Sequence, residues 1–279
     1  MGRRVSALRD ASGRVRSGWV VLVFAVVAVA VEAGALVLFT LAGELVSAPR
    51  LFFLTLPSLL AGTVATLVAW LAFREPTGLR DPTPLAQLGL GLLFGAAAIS
   101  VACLGPVLAG ATSLGPSGDE GLLMAGLWQA IALAPAGIGE ELLLRGLGLQ
   151  ALRRGLGDVA AVVLSSVLFG MLHLGNPNAT PVAALIIVLV GLWFGAVRLR
   201  SGSLWMPIGL HLAWNLFEGF VFGQPVSGNL VGPSLLVSPL TEAGFWSGGA
   251  FGPEASGWTA VVLCLALAAT LLVRNNRAP

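Results

Sequence analysis

Eight apolar runs, at 18–42, 51–73, 85–110, 121–139, 158–174, 181–199, 204–222 and 257–273, constrain this chain more than any other feature. Each is close to the ~20 residues that carry an α-helix across a hydrocarbon layer. Charged or Gly/Pro-rich breaks separate them. Only 10% of the 279 residues are charged and 57% are hydrophobic, where a soluble domain has roughly a quarter charged. So few charges cannot cover a soluble surface, and a disordered chain would be polar. The fold class that follows is all-α, a polytopic membrane helix bundle of about eight transmembrane helices.

Arginine placement predicts the topology. All 15 basic residues are Arg, and a cytoplasmic N-terminus puts 14 of them on one side, leaving only Arg50 outside. Glu44, Asp119, Glu120, Glu242 and Glu254 fall on the other side, so both termini are expected to be cytoplasmic. The first run follows Arg3, Arg4, Arg9, Arg14 and Arg16 without a small-residue cleavage site, and is expected to be a retained span. A net charge of +2 spread over termini and loops predicts no nucleic-acid partner. Cys103 and Cys264 read as buried small hydrophobes. Residues 1–120 form three N-terminal spans, 121–222 a polar-containing core, 223–256 an extracytoplasmic loop, and 257–279 a last span and tail. The loop's apolar residues, among them Leu235, Phe245, Trp246 and Phe251, read as a connector packed on the bundle, with a lid as the alternative.

Ionisable groups inside spans cost several kcal/mol or more in aggregate and are functional candidates by default. Here they are Glu32, Glu140, Glu141, His173, His211 and Glu218, and they include both histidines of the chain. Glu140 and His173 stand nearly equidistant from the Gly155-Leu156-Gly157 turn, so a helical hairpin there would place them at one depth. A continuous helix over 121–155 would be about 50 Å long, too long for a ~30 Å core. The fourth helix is therefore expected to be broken, at Pro135 with Gly137 and Gly139. Glu141 and Arg145 share a face at i, i+4, as do Phe169 with His173 and His211 with Asn215. Glu140 is turned about 100° away from Glu141, free for another partner. Glu218 lies outside these pairs and reads as a water-exposed rim residue; Glu32 has no partner the sequence names.

The sequence Glu140-Glu141-Leu142-Leu143-Leu144-Arg145 resembles the EExxxR motif of the CPBP family of intramembrane proteases. That family includes the CAAX prenyl endopeptidases and the Abi relatives tied to bacteriocin immunity. Phe169-Gly170-Met171-Leu172-His173 is similar to its FxxxH motif, and His211-Leu212-Ala213-Trp214-Asn215 to its HxxxN motif. Segments within 223–254 are similar to a tail of bacterial members, and Leu144 departs from the family's frequent aromatic before the Arg. The resemblance implies an intramembrane endopeptidase of a bacterial plasma membrane, acting on a membrane protein or lipidated peptide. It implies that Glu140, with His173, activates a water, that His211 and Asn215 stabilise the oxyanion, and that Arg145 holds Glu141. It implies no cofactor; a zinc-dependent version is the alternative, although the chain has no HExxH. A non-catalytic immunity or scaffold protein, or a proton-coupled carrier, would use the same polar set to bind or relay. The lack of internal repeats counts against the carrier.

Overall fold

The eight apolar runs all fold as helix. The computed structural model describes residues 7–10, 12–45, 50–238 and 244–273, with side chains described outside 42–45 and 50–54. The charges expected to mark the two faces at Arg3, Arg4, Glu242, Arg274 and Arg277 lie outside the described residues. In chain order the helices are α1 (Ser17–Leu45), α2 (Arg50–Phe73), α3 (Pro84–Leu108), α4 (Leu122–Leu144), α5 (Leu147–Leu156), α6 (Asp158–Leu172), α7 (Pro181–Ser201), α8 (Trp205–Leu216) and α9 (Gly257–Leu272). Six helical stretches are long and apolar enough to cross a membrane, with α4 and α5 together counting as one. Helix α9 is a shorter apolar helix, and α8 is prolonged by a π turn, Phe217–Val221. The molecule is a polytopic membrane helix bundle. Two-residue strands β1 (Gly115–Pro116) and β2 (Leu236–Val237) pair antiparallel and tie the α3–α4 connection to the segment after α8.

Small residues let the helix backbones approach, as expected where apolar lipid supplies little drive for helix association. Helix α3 meets α8 through Gly91 and Gly95 on one side and Gly209 on the other. A Cβ on any of the three would overlap the partner's main chain. Helix α2 meets α4 at Gly62 and Gly139, and α6 meets α7 at Gly170, Gly191 and Gly195. The central core gathers Ile99, Leu144, Phe169, Trp193, Phe194, Leu210, Trp214 and Phe251. Outward-facing apolar side chains such as Val26, Val29 and Leu93 form the surface that lipid would cover.

The fourth helix is broken, but not where the sequence suggests. Helix α4 runs through Pro135, Gly137 and Gly139, and the break falls at Arg145–Gly146. Proline removes one rung of the hydrogen-bond ladder, and neighbouring helices re-satisfy freed groups in a bundle. Thr55 of α2 donates to the Ala132 carbonyl at 2.7 Å, one residue past the carbonyl that Pro135 leaves without its rung, and ties this turn to α2. Gly139 serves as a notch instead, lying against the main chain of Ser58 and Leu59, and Gly137 lies against Leu212 and His211 of α8. At the true break, a side chain on Gly146 would overlap the Leu142 carbonyl. Beyond it α5 buries Leu147, Leu149 and Ala151 and turns Arg153 and Arg154 outward.

One end of the bundle is rich in arginine. Arg14 and Arg154 both pair with the buried Glu75, Arg153 pairs with Asp158 at 2.8 Å, and Arg200 donates to the Leu271 and Val273 carbonyls at the end of α9. The loop after α8 packs on the bundle with Val226, Phe251, Glu254 and Ala255, while Leu235, Phe245 and Trp246 are exposed. Cys103 is partly buried, but Cys264 is exposed on α9, contrary to its reading as a core residue; on a helix that faces lipid, an apolar run does not require burial.

The Gly139 contact yields a test. Gly139→Val would force α2 and α4 apart at the turn that carries the glutamates, with an overpacking cost of about 1–3 kcal/mol. A lowered Tm for the detergent-solubilised variant is expected, and an unchanged Tm would contradict the close approach.

Candidate active site

The crossing of α4 and α8 brings acids and histidine together. The His211 ring of α8 lies beside the turn of α4 that carries Gly137. One turn later Glu141 is fully buried, and so is Arg145. Arg145 NH1 donates to Glu141 Oε1 at 3.0 Å, and His211 Nδ1 lies 3.1 Å from the same oxygen. A carboxylate accepts, so His211 Nδ1 carries the proton in this bond. Glu140 projects from the next position along the helix and keeps a partly exposed side chain, 24% against 0% for Glu141. Its Oε2 is 3.8 Å from His211 Nε2, beyond hydrogen-bond length but close enough for strong attraction.

Aromatic rings explain how a guanidinium is tolerated at this depth. Arg145 Cζ stands 4.5 Å from the Phe169 ring centroid and 5.6 Å from that of Phe194. A planar, weakly hydrated cation suits such flat walls better than an ammonium. The same two rings flank His211, at 6.2 and 5.5 Å between centroids. His173 caps the end of α6, one turn after Phe169, with the two rings edge-on at 4.5 Å. His173 Nδ1 is 2.8 Å from the Phe169 carbonyl. That carbonyl can only accept, so Nδ1 is a protonated nitrogen, and in the neutral ring Nε2 then carries the lone pair. Phe169 thus touches Arg145, His173 and His211 at once. Asn215 is buried one turn beyond His211 on α8.

Several polar atoms here have no hydrogen-bond partner among the described residues: Glu140 Oε2, Glu141 Oε2, and Arg145 Nε and NH2. Unpaired buried polar atoms are costly and cluster where a protein holds its reacting partners. No group of three His, Cys, Asp or Glu side chains is arranged to hold a metal ion among the described residues. Glu141 Oε1 is already shared by Arg145 and His211, and His211 Nδ1 is committed to it.

Two acids outside the cluster differ from their sequence reading. Glu218 is not a rim residue: it is 0% exposed, and neither carboxylate oxygen has a hydrogen-bond partner among the described residues. Position 218 is seven residues after His211 and three after Asn215, so it continues the same inward face of the helix into the π turn. Glu32 accepts a 3.1 Å hydrogen bond from Ser58 Oγ, on the α2 segment that packs on Gly139.

Sequence reasoning misses the residues that support this cluster from a distance. Arg198, a topology marker by its charge, is buried and donates from Nε to the Arg145 carbonyl at 3.1 Å, at the break after α4. Phe194 carries no motif signal and joins the site only through the packing of α7 on α8. Glu254 and Trp214 form a buried hydrogen bond behind Asn215. The available signal is a charge or an indole amid apolar residues, which does not reveal its partner.

Residues 122–217, a third of the chain, match the family model described as Type II CAAX prenyl endopeptidase Rce1-like. The matched segment begins at the first residue of α4 and ends just past α8, and it contains Glu140, Glu141, Arg145, His173, His211 and Asn215. No curated protein matches the chain.

The buried ion pair makes a stability prediction. Arg145→Met removes the cation and leaves the Glu141 carboxylate in the core, a change expected to cost about 3–5 kcal/mol. The double variant Arg145→Met with Glu141→Leu should recover much of the lost Tm, because apolar replacement of both partners removes the stranded charge. Thermal unfolding of the purified variants checks both.

Proposed function

We propose, for a chain whose residues 122–217 belong to the CAAX-type intramembrane protease family, that it hydrolyses peptide bonds of membrane-associated substrates at the α4–α8 cluster. The observation that carries this reading is the shared arrangement of Glu140, Glu141, Arg145 and His211, with His173 joined to it through Phe169. Substrates would be membrane proteins or lipidated peptides, and the Arg-rich end of the bundle would face the cytoplasm of a bacterial cell.

In this reading Glu140 is the general base. Its side chain is partly exposed, whereas Glu141 is fully buried and shares Oε1 between Arg145 and His211. Glu140 takes a proton from a water while the hydroxide oxygen attacks the scissile carbonyl carbon. The lone pair on His173 Nε2 accepts a hydrogen bond from the same water and aligns it. The C=O electrons move onto oxygen, and that oxyanion is met by Asn215 and by His211. With Nδ1 bonded to Glu141, His211 donates from Nε2 only as the imidazolium. Two carboxylates and one guanidinium leave a net negative site that a second cation balances. Collapse of the tetrahedral intermediate breaks the C–N bond, and the proton held by Glu140 goes to the leaving amine. Arg145 and Phe169 act by holding this set in place.

Two tests follow. Glu140→Ala and His173→Ala should each abolish cleavage while the folded protein remains in the membrane. Proteomic comparison of membrane-protein termini in cells carrying wild type or Glu140→Ala reads this whichever protein is the substrate. Identical termini in the two would sink the protease reading and favour a binding or scaffold role. Separately, activity of the purified protein should survive EDTA; a loss restored by zinc would favour the metal-dependent alternative.

A further inference from the structure

We infer that Glu254 and Trp214 are positioning residues for the proposed reaction, and that the segment after α8 clamps the helix of His211 and Asn215 to the turn of His173. The inference rests on the protease reading for its chemistry. Its geometry stands independently.

Glu254 opens a short turn just before α9 and is nearly inaccessible, at 4% exposure. Both of its carboxylate oxygens are used. Trp214 Nε1 donates to Oε1 at 3.1 Å, and Ser227 donates to Oε2 from its main-chain N–H at 2.8 Å and its hydroxyl at 2.5 Å. Three donors on one buried carboxylate form a strong, directional anchor. Trp214 is the residue immediately before Asn215 and three after His211 on α8. Its indole is 1% exposed and packs edge-on against Trp193, with ring centroids 6.4 Å apart. An indole fixed at both its face and its N–H sets the rotation of α8 about its own axis. That rotation decides where His211 and Asn215 point.

A fixed rotation is needed because α8 is short and unusual. It has 12 residues and runs directly into the π turn Phe217–Val221, closed by Phe222 N–H donating to Phe217 O at 2.9 Å. A π turn is a local departure from the α repeat, of the kind frequently found at functional sites.

The same segment also reaches the histidine of α6. Gly228 N–H donates to the Phe251 carbonyl at 2.8 Å, sewing residues 225–229 to 248–254. Gly228, at φ +85, lies so close to the Pro177 carbonyl that a Cβ would overlap it, and Asn178 Nδ2 donates to the Ala250 carbonyl at 3.4 Å. Pro177 and Asn178 belong to the turn that follows His173–Gly175. One segment therefore holds the helix of His211 and Asn215 through Glu254, and the turn of His173 through Gly228 and Ala250.

The experiment uses the full chain purified in detergent, with Trp214→Phe, Glu254→Ala and the double variant. Hydrogen–deuterium exchange reads the clamp without any substrate. Faster exchange in residues 205–221 and 173–181 is expected for both single variants, with the double no faster than either. Cleavage of the substrate identified by its altered terminus should lose roughly ten- to hundredfold in kcat with KM unchanged, as for misplaced catalytic groups. Ser256→Ala supplies the control: it removes the N-cap of α9 in the same segment and should lower Tm without moving kcat or exchange in α8. Unchanged exchange in 205–221 for Glu254→Ala would overturn the clamp, as would kcat losses that track Tm across all variants including Ser256→Ala. If Glu140→Ala retains activity the protease reading fails, and the exchange data still decide the clamp.

Discussion

A single oxygen organises the polar centre of this bundle. Glu141 Oε1 accepts from Arg145 one turn later on α4 and from His211 on α8, so it joins a helix to its own end and to a second helix. A carboxylate and a guanidinium at 0% exposure are worth keeping only if their hydrogen bonds are made, since a stranded charge in a low dielectric costs several kcal/mol or more. The protein meets that requirement with flat aromatic walls and with Arg198, which reaches across from α7 to the carbonyl left unpaired where α4 stops. Helices α4, α7 and α8 are thereby registered by polar contacts in a bundle whose apolar packing alone would tolerate sliding.

The glycines are the counterpart of that polar register. Where α3 crosses α8 and α2 crosses α4, the missing side chains bring main chains together and fix helix depth. Gly139 and Gly137 illustrate the economy of this arrangement. One seats α4 on α2 immediately before Glu140, and the other, one turn ahead of Glu141, lies against Leu212 and His211 of α8. The helix that bears the acids is thus positioned from two sides by residues with no chemistry of their own.

Much of this is legible in the sequence, for identifiable reasons. The spans follow from run length. The three polar motifs stand out because an i, i+4 pair on one helix face is a local property, and charge is scarce everywhere else. Sequence alone puts the break in the fourth helix at Pro135 because proline and glycine are local signals. The α2 hydroxyl that supports that turn, and the Leu142 carbonyl that forces glycine at 146, are visible only once helices are packed. Glu218 shares the helix face of His211 and Asn215 by the 3.6-residue repeat, but its place near the end of the span suggests a rim, and its burial is visible only once the chain is packed. Arg198 and Glu254 read as charges at the membrane faces, an assignment that their charge supports and their burial corrects.

Adjacent, identical side chains acquire different chemistry here through partner accounting. Glu141 has one oxygen shared by two donors and no exposure, so its charge is spent on structure. Glu140, a residue earlier and about 100° around the helix, faces His211 Nε2 at 3.8 Å with an unpaired oxygen and a quarter of its side chain open. A general base must be reached by water, and of the two acids only Glu140 has an exposed part of its side chain, which is why the proposed reaction assigns the role to it. The two histidines divide in the same manner. His173 donates its Nδ1 hydrogen to a carbonyl, which leaves Nε2 of the neutral ring as an acceptor. His211 donates its Nδ1 hydrogen to a carboxylate and has a second carboxylate 3.8 Å from Nε2. In the proposed reaction, base and oxyanion donor would be distinguished by what each ring's other nitrogen is bonded to, and the helix ends and crossings that fix those bonds would be the fold's contribution.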